Sequence, residues 1–493
     1  MAEAALADLD VAALLAKLGA HPRRITSDSR RVEPGVAFAA YPGHSSDGRK
    51  FVPDAIARGA SAVLWDTRSF QWDASWQAPH LGIEHLQARL GYIADFIYGS
   101  PSRRLWMTGV TGTNGKTSCA QWIAQALDMC GRRAAILGTL GNGLVGALAP
   151  ASHTTPDVTV FHELLAQFHA AGAQAVAMEV SSHGLDQGRV NGATFDVALF
   201  TNLTRDHLDY HKTMAAYGSA KAKLFAWPGL RVAVVNADDA FGHSLIDAAR
   251  KRGQRTLTYG FGAADIAATP VSLDATGIVL DVVTPWGRAT LRSPVVGAFN
   301  AQNVLGVLGV LLASDVALDD AVASLGRIAP PAGRMQRVGG NGKPLVVVDY
   351  AHTPDALEKV LLALRPALLP SGELVCVFGC GGDRDPGKRP QMGAIAAAHA
   401  DRIVVTSDNP RSEDPAQIAN AVVRGVRDAG HRRWTIEVDR RAALVRAIAS
   451  ASASDIVLVA GKGHEAYQEL QGRRTPFSDA READAALAGW TAA

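Results

Sequence analysis

Residues 109–117, Gly109-Val-Thr-Gly112-Thr113-Asn114-Gly115-Lys116-Thr117, have the composition of a loop that closes on phosphate. Glycines let backbone N–H groups surround phosphate oxygens, the lysine reaches the outer phosphates, and the following hydroxyl can ligate Mg²⁺. The general pattern has glycine five residues before Gly115; here that position is Val110, so the loop is a GxxGKT variant, continued by Ser118. Two further groups have metal-binding character. Glu179 ends the apolar run AlaValAlaMetGluVal (175–180), where a buried carboxylate needs a partner such as a cation. His207 lies in AsnLeuThrArgAspHisLeuAspTyrHis (202–211); alone it reads as a helix-start residue, but beside the loop and Glu179 it reads as a ligand. In TyrGlySerAlaLysAlaLysLeuPhe, Lys221 would ordinarily be a surface lysine whose stem covers apolar neighbours.

Three more chemistry-bearing loops follow in the last third of the chain: GlyGlyAspArg384AspProGlyLysArg, Asp408-Asn409-Pro410-Arg411 and Gly461-Lys-Gly463-His464-Glu465. Any one alone reads as a turn. In series behind a phosphate loop they are not plausibly chance.

The wording ThrGlyThrAsnGlyLysThr resembles the Mur ligases and their relative folylpolyglutamate synthetase, which form amide bonds through an acyl phosphate. The resemblance covers nearly the whole chain, with motifs in family order. It implies ATP contacts from Gly112, Thr113, Asn114, Gly115, Lys116, Thr117 and Ser118, from Asn300 and Asn303 of GlyAlaPheAsnAlaGlnAsn, and from Arg334, Asp349 and His352. It implies a UDP-muramoyl-dipeptide held by Ser27, Ser29, His44, Ser45 and Ser46 near the N-terminus, then Thr154, Thr155, Ser181, Gln187 and Arg189. Two Mg²⁺ ions would sit on Thr117, Glu179, His207 and a carbamylated Lys221, the lysine four residues after Tyr217; Lys116, Glu179, His207 and Lys221 form the catalytic set. Arg384, Asp408, Asn409, Pro410, Arg411, Gly461 and Glu465 would bind the incoming amino acid. AspAsnProArg is the version seen in family members that use meso-diaminopimelate rather than L-lysine. Arg411 suits the extra carboxylate of that substrate, while Asn409 and Glu465 suit its amine.

The elements that must position these residues are strands alternating with helices, the signature of parallel sheets covered on both faces. Residues 31–40 read as a turn feeding a strand, 52–60 as a helix and 61–65 as a strand. LeuTrpMetThrGlyVal precedes the phosphate loop, and 116–130 follow it as a helix with Trp122, Ile123, Ala126, Leu127 and Cys130 at helical spacing. Further strands are expected at 175–180, 197–201 and 232–236, and a β-hairpin at 277–294. Five more, at 344–349, 373–379, 402–407, 434–438 and 455–460, alternate with helices. Turn-rich breaks at 99–104 and 328–334 divide the chain into three α/β domains. These are 1–103 for the UDP-muramoyl substrate, 104–332 with a central P-loop parallel sheet, and 333–493, Rossmann-like, for the amino acid.

Composition sets the outer limits. The 493 residues are too many for one ordinary core, and 48% hydrophobic against 19% charged residues permits large buried cores. A formal charge of +2 argues against a dedicated nucleic-acid binder. The N-terminus carries acidic residues rather than a basic leader, and no apolar run is long enough to span a bilayer. Cys119, Cys130, Cys376 and Cys380 form no CxxC pair and read as free thiols, so the expectation is a cytoplasmic monomer acting on small molecules. The rival readings are an L-lysine-adding Mur ligase or a folylpolyglutamate synthetase and, from another class, a P-loop switch or transport ATPase. The last would leave Lys221 and the three late loops without a role.

Overall fold

A computed structural model describes residues 10–43, 46–274 and 277–491. His44 and Ser45, expected at the nucleotide, lie outside the described residues. The chain forms two compact units, one running to Ala267 and including Gly306–Ala321, the other comprising Ala268–Leu305 and Val322 onward.

The first unit holds two sheets. Strands Arg24–Thr26, Val36–Ala40, Ala62–Asp66 and His80–Ile83 pair in that order, all parallel. Val36–Ala40 is buried along its whole length because helices cover both faces. The second sheet places the phosphate-loop strand, Trp106–Thr111, between Ala175–Glu179 and Val197–Phe200. Val232–Asn236 and Thr256–Gly260 extend it parallel on one side, and Ala134–Gly138 on the other. Gly141–Leu144 and Ala147–Ala149 complete that edge as antiparallel strands. This order puts the carboxyl ends of three neighbouring strands side by side, the usual ligand position in an open α/β sheet. The helix Lys116–Met129 packs with Trp122, Ile123, Ala126 and Leu127 buried.

In the second unit Gly277–Thr284 and Gly287–Ser293 form the expected hairpin. All five late strands are present in a sheet ordered Leu345–Asp349, Ile456–Ala460, Leu374–Phe378, Arg402–Val405 and Trp434–Ile436, parallel throughout. Gln336–Gly339 adds an antiparallel edge beside Leu345–Asp349. The last strand in sequence thus lies between the first two, which brings the loops after 349, 378, 405 and 460 to one edge of the sheet. All four cysteines are free. Among the described residues, no helix is long and apolar enough to cross a membrane.

Candidate active site

The phosphate loop is held by its neighbours before any ligand arrives. Thr113 N–H donates to the Asn202 carbonyl (2.8 Å) and Asn114 N–H to the Asn202 side chain (3.0 Å). Thr201 Oγ1 donates to the Asn114 carbonyl (2.6 Å), and the Thr113 hydroxyl lies 3.2 Å from that of Tyr217. Gly112 has φ +155°, and a Cβ there would sit 1.9 Å from Thr201 Oγ1, so only glycine fits against the next strand end. Lys116 Nζ turns back onto the carbonyls of Gly112 (2.9 Å) and Thr113 (2.8 Å).

Glu179 is paired with Val110 in register and is 2% exposed. Its carboxylate accepts from Thr117 Oγ1 (2.8 Å), Thr139 N–H (2.7 Å) and Thr139 Oγ1 (3.2 Å). Hydrogen bonds to a charged group contribute about 1.5–3 kcal/mol each, so three offset a burial penalty of several kcal/mol. The Thr117 hydroxyl can rotate its hydrogen away and present a lone pair to a cation that Glu179 also faces. Among the described residues no three His, Cys, Asp or Glu side chains converge into a protein-only metal cage. One carboxylate and one hydroxyl beside a phosphate loop nonetheless fit Mg²⁺, which is commonly held by few protein groups together with substrate phosphates.

Lys221 sits on the helix Met214–Phe225 and is 1% exposed, whereas Lys223 lies at the surface and pairs with Asp186 (3.1 Å). Lys221 Nζ donates to the same Gly112 carbonyl that Lys116 uses (2.7 Å) and lies 4.3 Å from the Tyr217 ring centre. Burial, then the nearby Lys116 charge, holds its ammonium well below the usual lysine range. His207 has φ +53° and precedes the short helix Leu208–His211. Its ring meets that of His183 edge-on at 4.9 Å, and burial lowers its pKa, which favours a neutral imidazole with a lone pair to offer.

A polar line leads from this cluster to the first sheet. Thr139 and Thr154 hydroxyls lie 3.0 Å apart, and Thr155 Oγ1 donates to the Glu179 carbonyl (2.9 Å) and to Ser181 Oγ (3.0 Å). Arg189 grips Gln187 through two nitrogens (2.9 and 2.7 Å) and donates to the Thr155 carbonyl (2.9 Å). Ser27 Oγ donates to Asp157 (3.0 Å), the residue capping the helix Val158–Ala170. The sequence-read nucleotide contacts Ser27, Thr154, Thr155, Ser181, Gln187 and Arg189 are therefore linked to Glu179 by hydrogen bonds and chain continuity. Ser29 lies in the turn Ser29–Arg31, and Ser46 is exposed, its carbonyl accepting from Gly43 N–H (2.9 Å).

In the second unit Asn300 and Asn303 face each other on the helix Ala298–Ala313 (3.1 Å). Asp349 accepts from the N–H groups of Met335 (2.8 Å) and Ala351 (2.9 Å), and burial raises its pKa. Arg334 stacks over Tyr350 (4.9 Å), and His352 bonds the Tyr350 carbonyl (2.8 Å). Asp408 is buried against Gly461, where φ is +112° and a Cβ would come within 2.5 Å of its carboxylate. Arg411, at φ +53°, donates to the Gly382 carbonyl (2.7 Å), which ties the loop that carries Pro410 to the exposed loop that carries Arg384. Asn409 Nδ2 donates to Glu465 (2.7 Å). Three participants carry no expectation from sequence: Thr139 behind Glu179, Lys462 beneath Asn409, and Arg440. Arg440 is fully buried, paired twice with Asp479 (2.7 Å each), and donates to the carbonyls of Ser407 (3.2 Å) and Ala460 (2.9 Å).

Family models match most of the chain in three successive stretches. The Mur ligase family catalytic domain matches residues 21–98, the Mur ligase middle domain 110–311, and the Mur ligase glutamate ligase domain 333–463. A UDP-N-acetylmuramoyl-L-alanyl-D-glutamate--2,6-diaminopimelate ligase of Chromobacterium violaceum is 53% identical over 487 residues, 99% of this chain and 98% of that protein. The protein of the same name from Pseudomonas aeruginosa is 51% identical over 470 residues, 95% of each chain. A solved structure of a ligase with that name matches with a TM-score of 0.72 at 37% identity, covering 95% of both chains. A phosphate loop and a buried carboxylate at adjoining strand ends, with a buried helix lysine reaching the loop, in a chain alike over 99% of its length to such a protein, have one common source: this chain belongs to the Mur ligase family.

Proposed function

We propose that the chain is an ATP-dependent ligase that joins meso-diaminopimelate to the D-glutamate of UDP-N-acetylmuramoyl-L-alanyl-D-glutamate, in cytoplasmic peptidoglycan precursor synthesis. The observation that carries the reading is the meeting of Thr117, Glu179 and buried Lys221 around the phosphate loop, in a chain 53% identical over 99% of its length to a relative of that name.

In this reading the chain works as a monomer of three domains, 1–103, 104–332 and 333–493. Lys116 leaves its loop carbonyls for the ATP phosphates, joined by the N–H groups of 112–118, with Arg334, Asp349, His352, Asn300 and Asn303 completing the nucleotide contacts. Ser27, Ser29, Ser46, Thr154, Thr155, Ser181, Gln187 and Arg189 hold the UDP-muramoyl-dipeptide, joined by His44 and Ser45. Thr117, Glu179, His207 and a carbamate on Lys221 are the groups that would hold two Mg²⁺. Those ions would supply charge neutralisation for the phosphoryl group. The γ-carboxylate of D-glutamate attacks the γ-phosphorus, ADP leaves, and an acyl phosphate forms. The diaminopimelate amine then attacks the acyl carbon; inorganic phosphate leaves and the nitrogen gives up a proton. Arg384, Asp408, Asn409, Pro410, Arg411, Gly461 and Glu465 orient that amine, and orientation is the larger part of what the protein contributes.

A coupled phosphate-release assay with the full chain, ATP and the nucleotide dipeptide tests this across amino acids. Turnover is expected only with both co-substrates present and with meso-diaminopimelate far ahead of L-lysine. Turnover without an amino acid, or a preference for L-lysine, overturns the reading.

A further inference from the structure

The strand Ile456–Ala460 delivers Lys462 into the floor of the amino-acid loops, where its side chain is fully buried. Its Nζ donates to Asn409 Oδ1 (3.0 Å) and to Glu465 Oε2 (2.9 Å). Asn409 Oδ1 also accepts from Glu469 N–H (2.9 Å), so both lone pairs of the amide oxygen are occupied by donors. On its other side Asn409 Nδ2 donates to the same Glu465 Oε2 (2.7 Å). Reversing the amide would set its NH₂ against an ammonium and a backbone N–H. Chemistry therefore fixes which way Asn409 points. The oxygen is saturated from below, and the second Nδ2 hydrogen remains to donate. Glu465 keeps Oε1 as an acceptor, on a carboxylate with a cation at its back.

We propose that Lys462 is a positioning and specificity-determining residue of the amino-acid pocket, locking Asn409 as a donor and Glu465 as a carboxylate acceptor. The inference rests on the assignment of these loops to the amino acid. A fixed donor beside a fixed anionic acceptor matches a carbon bearing both a carboxylate and an ammonium, with Arg411 available to share the carboxylate. An amino acid whose far end is an amine alone leaves the Asn409 donor unmatched, and an unmatched buried donor is how a polar pocket rejects an analogue. Asn409 therefore serves the carboxylate, and Glu465 alone serves the amine; the expectation from sequence gave both to the amine.

The test is Lys462→Met in the full chain, with kcat and KM measured separately for each substrate. The expected result is a KM for meso-diaminopimelate raised at least tenfold, a fall in preference over L-lysine by a similar factor, and KM for ATP within twofold of wild type. Lys462→Arg, which keeps charge and donors, recovers part of the loss. Unchanged amino-acid KM and unchanged preference over L-lysine in a folded Lys462→Met overturn the inference. If that variant does not fold, Lys462→Met/Glu465→Gln, which leaves no unpaired charge, is compared with Glu465→Gln alone. A lysine acting through Glu465 and Asn409 adds no more than about threefold, and a further tenfold loss refutes it. Wild-type enzyme without meso-diaminopimelate turnover would mark failure of the assigned activity instead, a result distinct from either.

Discussion

Burial and a charged neighbour together give Lys221 the chemistry that the proposed carbamate requires. An amine forms a carbamate only when unprotonated: its lone pair attacks CO₂, a proton leaves, and nitrogen ends bearing a carboxylate. Burial and the Lys116 charge both favour the free amine, and its Nζ donates to a carbonyl, that of Gly112 (2.7 Å). Lys221→Ala should therefore lose turnover by about 100-fold, the upper end of what losing even an outer-shell partner of a metal costs. Formate, a small carboxylate able to enter the vacated space, should restore a measurable part. In the wild type, activity at limiting bicarbonate should fall as pH drops through the depressed lysine pKa, because protonation withdraws the amine. Labelling with ¹³C-bicarbonate and observing a carbamate carbon by NMR checks the chemistry directly. A folded Lys221→Ala with wild-type turnover would end this assignment. At this scale Thr117 is marked by a motif and Glu179 by an anomaly, a carboxylate in an apolar strand, whereas Lys221 alone reads as a surface lysine, is singled out by the family resemblance, and is in fact buried. Thr139 and Lys462 act through other side chains, and such residues have no spacing of their own to read.

At the scale of elements, the site depends on which strand lies beside which. Trp106–Thr111 and Val197–Phe200 are far apart in sequence yet pair Thr111 with Phe200, which presses Gly112 against Thr201 and Asn202. Gly112→Ala cannot keep that contact, since a Cβ 1.9 Å from Thr201 Oγ1 must push the loop or the strand end aside. The N–H groups of 113–116 would then no longer converge on phosphate. The expected outcome is a KM for ATP raised at least tenfold with a melting temperature lowered by only a few degrees, because the sheet core remains apolar and intact. An unchanged KM for ATP in this variant would show that the loop is not the phosphate site. The strands at 175–179, 197–200 and 232–236 are legible as buried apolar runs. The antiparallel edge at 141–144 and 147–149 is not, because GlyAsnGlyLeu and AlaLeuAla lack both apolar length and alternation. Strand order is equally unreadable: nothing local places Ile456–Ala460 between Leu345–Asp349 and Leu374–Phe378.

At the scale of the whole molecule, the joint between the first sheet and the second within one unit has a proton-linked weakness. The helix Leu86–Ile97 brings Asp95 to His162 of the helix Val158–Ala170, Nδ1 to Oδ1 at 3.6 Å, both buried. His162 Nε2 lies 2.8 Å from the Asn191 carbonyl, so Nε2 carries the hydrogen and Nδ1 faces Asp95 with a lone pair. Burial raises the Asp95 pKa, and a protonated Asp95 is the form that can point a hydrogen at that lone pair. Burial also pushes the His162 pKa from 6.5 down to about 4. The unfolded chain therefore takes up a proton below pH 6.5 that the folded chain refuses until about pH 4, and stability is lost as pH falls through that window. At about 1.4 kcal/mol per pH unit the loss approaches about 3 kcal/mol, partly offset at the acid end as the raised Asp95 takes its own proton on the folded side. His162→Gln keeps a donor for Asn191 and removes the titration. It should move the midpoint of acid unfolding, followed by tryptophan fluorescence, to lower pH, with stability at pH 8 within about 1 kcal/mol of wild type. The same acid midpoint in the variant would mean that His162 is protonated in the folded joint, and that the pair is an ion pair rather than a buried neutral contact.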